Sequence, residues 1–279
     1  MGATLDHGVA NRDPGMTSTT EKTSGAQSLH RSIGLLRLVS SHASDGIRLV
    51  DLCKQSGMAR TTVHRMLMAL QNEGLVEQDP ENDRFYLGRE AWLLGVAAES
   101  RIQFSSVAKA TLSSLSQASG DISLFLIRTG AEAVCIARDE GSYPVRTHTA
   151  QVGGRYPLGV GGGSLAILSA CNDDEIDWLL DINAAELKRN HPAFTPEILR
   201  ELVAETRAQG YAVNPGRVYP ESWGVGVPFF DPQGICRGSI SLAGVPARIE
   251  PRIDEVVGIL KAEVPRLERT IYSRTSGRS

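Results

Sequence analysis

The clearest alternation of hydrophobic and polar positions runs from Leu49 to Met66, LVDLCKQSGMARTTVHRM. Leu49, Leu52 and Cys53 recur at the spacing of one helix face. Gly57 then stops that helix, because glycine accepts the left-handed conformation that a chain reversal needs. In the next helix Val63, Met66, Leu67 and Leu70 fall on one stripe at about 100° per residue. Thr61, Arg65 and Met68 point the other way, Thr62 and His64 lie on the flanks, and Thr61 or Thr62 is expected to cap the helix. Upstream, Ser28–His42 with Leu29, Ile33, Leu36 and Val39 predicts a supporting helix. Downstream, Gly74 ends the second helix, Leu75–Gln78 alternates, Asp79–Asp83 is a dense turn signal, and Arg84–Leu87 returns as a strand closed by Gly88. Two short helices around a glycine also suit an ordinary helical hairpin. The flanking helix and the β-hairpin instead make a winged helix, whose polar outer face can meet a DNA groove.

Beyond Arg89 the pattern becomes more apolar. Glu90–Ile102, with Trp92, Leu93, Leu94 and Val96, and then Ser105–Ser119 are predicted as helices. The first is too hydrophobic for a simple spacer and is expected to pack on a second domain, a second subunit or both; a dimer would read two half-sites about one helical turn apart. Strand-like runs follow at Ile122–Arg128, Ala133–Arg138 and Val145–Thr149. A glycine-rich stretch, Gly153–Gly163, leads to predicted helices at Ser164–Cys171, Asp174–Leu180 and Pro196–Gln209. Later strands are expected at Tyr211–Val213, Gly224–Phe230 and Cys236–Ala243, and a last helix at Ile253–Tyr272. Strands in two groups with helices between and after them predict an α+β sheet carrying packed helices.

The chain has 279 residues, enough for two domains, and is 41% hydrophobic with no apolar run of membrane-spanning length. No secretory signal pattern opens it, so a cytoplasmic location is expected. Residues 1–25, which end in the polar run TSTTEKTSG, are expected to form a disordered leader. The net charge of −3 looks unfavourable for a DNA binder until it is read locally. Between Ser28 and Asn72 six basic residues (Arg31, Arg37, Arg48, Lys54, Arg60, Arg65) face two acidic ones (Asp45, Asp51), a local net of +4. The wing tip carries Asp79, Glu81 and Asp83 against Arg84 alone, so phosphate attraction should come from the helices. Cys53, Cys135, Cys171 and Cys236 are isolated and show no metal spacing. Consecutive carboxylates at Asp173, Asp174 and Glu175, with Asp177, suit the first turn of a helix better than a metal site.

Candidate chemistry concentrates in two places. Arg60, Thr61, Thr62, His64, Arg65 and Arg84 are the expected DNA-contacting residues, with Arg65 suited to a two-bond contact with guanine. Gly161, Gly162, Gly163 and Ser164, opening a helix, could cradle an anion on free N–H groups, or could simply allow a tight turn. Tyr219 and Trp223 could stack on a flat ligand, or Trp223 could anchor its loop. Arg138, Arg146, Arg155 and Arg217 are possible counter-charges, and Arg217 is expected to contribute to anion selectivity. An enzyme, for instance a small-molecule hydrolase or transferase with an N-terminal interaction domain, would need a nucleophile such as Ser164 backed by histidine and carboxylate. No such motif surrounds it, and His148 and His191 stand alone. No cofactor or metal is expected.

With those residues in view, the chain resembles the IclR family of bacterial transcription regulators from about Ala26 to Tyr272. The resemblance is carried by TTVHRMLMALQNEGLV (Thr61–Val76), RYPLGVGGGSLAILSA (Arg155–Ala170), RAQGYAVN (Arg207–Asn214), VPFFDPQG (Val227–Gly234) and SISLAG (Ser239–Gly244). It implies a winged helix-turn-helix over 26–88, a linker helix over 89–102 and a GAF-like effector domain over 103–273. It also implies a dimer, often paired into a tetramer, and operator binding controlled by small metabolites, frequently organic acids. By position, the effector pocket would be walled by Leu158–Ser164, the turn before Val227, and Ser241. The chain departs from the family's common pattern at Gly159–Leu165 and at Gly216-Arg217, where relatives often carry paired acidic residues. These departures bear on the ligand rather than the fold.

Overall fold

The computed structural model describes residues 24–102, 104–145, 147 and 150–273. The expected leader lies outside them except at Ser24 and Gly25, which already belong to the first helix. The N-terminal unit comprises α1 (Ser24–Ser40), β1 (Ile47–Arg48), α2 (Leu49–Ser56), α3 (Arg60–Asn72), β2 (Val76–Gln78) and β3 (Arg84–Leu87). The stripe Val63, Met66, Leu67 and Leu70 is buried as its period requires, against Leu35, Val39, Leu52 and Phe85. Gly57 ends α2 at φ +67°, with its N–H on the Cys53 carbonyl.

Three expectations change here. The α3 cap is Ala59, without a side-chain hydrogen bond, so Thr61 and Thr62 lie inside the first turn. On α1 the buried face is Leu35 and Val39, while Leu29 is 64% exposed. The wing also gains a strand: β1 pairs antiparallel with β3, giving the order β1-β3-β2. At the wing tip, Asp79 accepts from the Glu81 N–H (2.8 Å) and from Asn82 Nδ2 (2.7 Å), which fixes the turn.

Two helices, α4 (Arg89–Ile102) and α5 (Phe104–Ser119), lead to the second unit. There β4 (Ile122–Thr129), β5 (Glu132–Asp139), β6 (Arg155–Pro157), β7 (Ala212–Pro215), β8 (Trp223–Phe230) and β9 (Cys236–Gly244) form one antiparallel sheet, ordered β6-β5-β4-β9-β8-β7. Val145 and Thr147 are not in a strand, so the one expected at Val145–Thr149 is absent at those residues; the other three lie outside the described ones. Between and after the strands come α6 (Gly162–Ser169), α7 (Asp173–Asn190), α8 (Pro196–Gln209), α9 (Pro246–Ile249) and, after a 3-10 turn at Glu250–Arg252, α10 (Ile253–Ser273).

The sheet is buried on both faces. Phe125, Val225, Val227, Phe229, Ile240 and Leu242 pack on the side of α5 and α10. Leu124, Leu126, Ala212 and Ala243 face the side of α6, α7 and α8. This is an α+β fold of three layers, with α6 lying directly on β8 and β9. A Cβ on Gly162 would sit 2.5 Å from the Gly224 carbonyl oxygen, and one on Gly226 would sit 2.7 Å from the Gly162 oxygen. Helix and sheet therefore meet backbone to backbone, which places the start of α6 against the sheet.

Candidate functional site

Helix α3 divides cleanly. Val63 and Leu67 are wholly buried, whereas Arg60, Thr61, His64 and Arg65 are exposed and Thr62 is half-buried. Cationic and hydroxyl groups thus share one accessible face, the arrangement needed to position on phosphates and read base edges. Arg84 does not join them freely. Its Nη1 donates to the carbonyls of Asp45 (3.0 Å) and Gly46 (2.9 Å), tying the wing to the turn before β1.

The second candidate site is a cavity of about 80 Å³ between α6 and the sheet. That is room for roughly five to eight water-sized groups. Its sheet side is made by Leu124 and Leu126 on β4, Ser241 and Ala243 on β9, Gly224 on β8 and Asn214 on β7. Val160–Ser164 form the opposite side, and Ala150, Tyr156, Val218, Tyr219 and Ser222 complete it. Gly161 precedes α6 at φ +86°, a conformation suited to glycine. The N–H groups of Gly162, Gly163 and Ser164 open the helix and have no acceptor one turn earlier, so the positive end of α6 borders the cavity.

The structure brings together Val160, Gly161, Gly162, Gly163, Ser164, Tyr219 and Ser241 and sets Leu158, Arg217 and Trp223 apart. Ser164 borders the cavity, but its Oγ donates to the Pro157 carbonyl (2.9 Å) and accepts from the Gly159 N–H (3.1 Å). It holds the loop together. Leu158 is 1% exposed core and does not line the cavity. Trp223 points to the other side of the sheet, packing with the α5 and α10 cluster, so it is the loop anchor. Arg217 is exposed and outside the lining. Arg155 pairs with Glu132 (2.7 Å) and Arg138 with Glu140 (3.3 Å), while Arg146 lies outside the described residues. No charged side chain among the described residues lines the cavity. Sequence reasoning missed Leu124, Leu126, Tyr156 and Asn214. Alternation along β4, and the position of Asn214 at the end of RAQGYAVN, were the signals available.

Three of the clustered carboxylates, and the buried thiols, are committed to structure. Asp173 pairs with Arg207 (2.7 Å), Glu175 with Arg128 and Asp177 with Arg200 (2.8 Å). The Arg128 guanidinium holds the Glu175 carboxyl below the usual carboxylate range. Burial pushes the thiols of Cys135 and Cys171 up to about 12 and that of Cys236 up to about 11. Protonated at neutral pH, they are poor nucleophiles. No cluster of metal-binding side chains occurs among the described residues.

Sequence models of two known domains match the chain. The IclR helix-turn-helix domain matches residues 28–80, and the C-terminal domain of the bacterial transcriptional regulator IclR matches residues 96–269. The chain is 26% identical over 230 residues to the HTH-type transcriptional regulator XynR of Escherichia coli (strain K12), covering 80% of this chain and 88% of that protein. Among solved structures it is similar to a putative IclR transcriptional regulator from Silicibacter sp. TM1040, with a TM-score of 0.71, 24% identity, and 88% and 96% of the two chains covered. It is also similar to an IclR homolog from Microbacterium hydrocarbonoxydans complexed with 4-hydroxybenzoate, with a TM-score of 0.67, 19% identity, and 88% and 99% covered.

Proposed function

The chain belongs to the IclR family of bacterial transcriptional regulators, and we propose that its operator affinity is set by a small carboxylate held at the start of α6. It is a DNA-binding regulator rather than an enzyme. The observation carrying the effector reading is the cavity into which α6 opens without a cation in its walls. Amide donors and a helix dipole favour an anion there. The cavity is largely apolar around them, as small-molecule sites generally are. The 4-hydroxybenzoate complex of the Microbacterium relative supports an organic acid as the ligand class.

Arg60, Thr61, Thr62, His64 and Arg65 are the proposed DNA-contacting residues, with Arg84 shaping the wing. A second copy of the chain is the proposed partner of α4. Trp92, Leu93, Leu94 and Val96 are 64%, 41%, 56% and 51% exposed, so this helix shows apolar side chains to water on several sides. A helix apolar all round belongs in an interior. Covering it with its counterpart also supplies the second reading head that a two-fold operator requires.

Calorimetric titration with 4-hydroxybenzoate and short aliphatic carboxylates, followed by gel shifts on the operator, tests the effector reading. Saturable binding that changes operator affinity by about 5- to 150-fold is expected. A panel in which no acid binds, or in which binding leaves operator affinity unchanged, overturns it.

A further inference from the structure

Helix α7 turns an unpartnered face to the outside of the second unit. Ile176, Leu179, Leu180, Asn183 and Leu187 bury its inner side. On the outer side Trp178 is 52% and Ile182 is 56% exposed, and Asp174, Ala185, Lys188 and Arg189 are exposed with them. At about 100° per residue, Asp174, Trp178, Ile182, Ala185 and Arg189 fall within about 80° of arc and form one stripe. Its charges are divided end from end. Asp173, Glu175 and Asp177 at the acidic end are taken by Arg207, Arg128 and Arg200, which leaves Asp174. Asp174, Lys188 and Arg189 have no ion-pair partner among the described residues.

An acidic end, an apolar middle and a basic end on one helix complement the same stripe run in the opposite direction. With a two-fold axis between residues 181 and 182, Asp174 meets Arg189 of the partner subunit. Trp178 then lies over the partner's Ala185, large against small, and Ile182 meets its own counterpart beside the axis. Two-fold symmetry makes each of these contacts twice. A shift of one turn sets Asp174 against Ala185 and loses both ion pairs, so the charges fix the register. We propose that α7 is a self-association surface on which two copies of the chain pack antiparallel. It is separate from the α4 contact and does not rest on it. One helix face falls short of the roughly 800 Å² per partner of a standard interface, so a weak contact is expected, with a dissociation constant of about 10–100 µM. Two regulators on neighbouring operators are already held close, and there a weak contact suffices to join them.

Sedimentation equilibrium on the full chain, from about 2 to 300 µM, spans that range. Whatever mass α4 sets at the low end is expected to double at the high end. Asp174→Arg alone and Arg189→Asp alone each set like charges together at both ends of the seam. Each is expected to weaken the doubling at least about tenfold, with the melting curve unmoved because both sites are exposed. An equimolar mixture of the two variants is expected to regain it, since position 174 of each then faces an opposite charge at position 189 of the other. A mass that stays constant to about 300 µM in the unaltered protein overturns the proposal and leaves the face to a partner of another kind. Doubling that ignores both single substitutions, or that the mixture fails to restore, places the contact elsewhere and overturns it as well.

Discussion

Arg65 and Arg84 carry the same charge into the same domain and are put to different use. Arg65 stands on the exposed face of α3, while Arg84 Nη1 is committed to two carbonyls of the Asp45-Gly46 turn. Arg65→Ala should cost about 1–3 kcal/mol in operator binding and relax one base position, with the thermal melt almost unmoved. Arg84→Ala should instead lower stability by about 1–2 kcal/mol, because two backbone acceptors, that of Gly46 part-buried, lose a charged donor. Gel shifts over an operator series, paired with melting curves, distinguish the two. An Arg84→Ala protein that melts normally but loses DNA affinity at every salt concentration would return Arg84 to the DNA surface. The same lesson holds at the cavity. Residue types could be read at Ser164, Trp223 and Leu158, but the direction of each side chain depends on partners distant in sequence. Ser164 Oγ is taken by Pro157 and Gly159, and Trp223 is turned by β8 alternation toward α10.

Elements with one dominant period were legible. The stripe of α3, the bounds of α8 and the strand Arg84–Leu87 follow from spacing and from caps such as Thr195 and Gly210. Elements fixed by tertiary contacts were not. β1 has two residues and exists through its pairing with β3. α7 runs on to Asn190 because Asn183 occupies a core position, its Nδ2 donating to the Ala131 carbonyl (2.9 Å), so a polar residue interrupts the apolar pattern there. On α1 the run LLRLV offers two overlapping apolar faces, and packing chose Leu35 and Val39. The helix whose sequence says most about assembly is α4. Replacing Trp92 and Val96 together by glutamate should convert the proposed dimer to a monomer in light scattering without unfolding either domain, since both side chains are more than half exposed in the single chain. Operator affinity should fall with it, because one reading head is lost per complex. A double variant that keeps both the dimer mass and full operator affinity would rule α4 out as the subunit contact.

At the scale of the whole molecule, a ligand in the cavity can alter operator affinity only if it favours one arrangement of the two domains. The linker helix α4 joins the two domains along the chain, and the structure adds a shorter route. Ala150 and Tyr156 line the cavity, and the turn between them is held to β5 by the Gly153 N–H on the Cys135 carbonyl (2.8 Å) and the Cys135 N–H on the Gly154 carbonyl (3.0 Å). Tyr156 Oη accepts from the Gln151 N–H at 3.3 Å. At the tip of this turn, a Cβ on Gly153 would lie 2.7 Å from the carbonyl oxygen of Ser40, the last residue of α1. The turn that joins two cavity residues thus meets the DNA-binding domain backbone to backbone. Gly153→Ala should force them apart, and the φ of +82° at this position adds local strain. Coupling between two sites is reciprocal, so the expected result has two sides. Effector should no longer change operator affinity, and saturating operator should no longer change effector affinity, while each ligand taken alone still binds. Calorimetry and gel shifts on the same variant measure both. If Gly153→Ala folds, binds both ligands and keeps the full reciprocal shift, the signal passes through the linker and not through this joint.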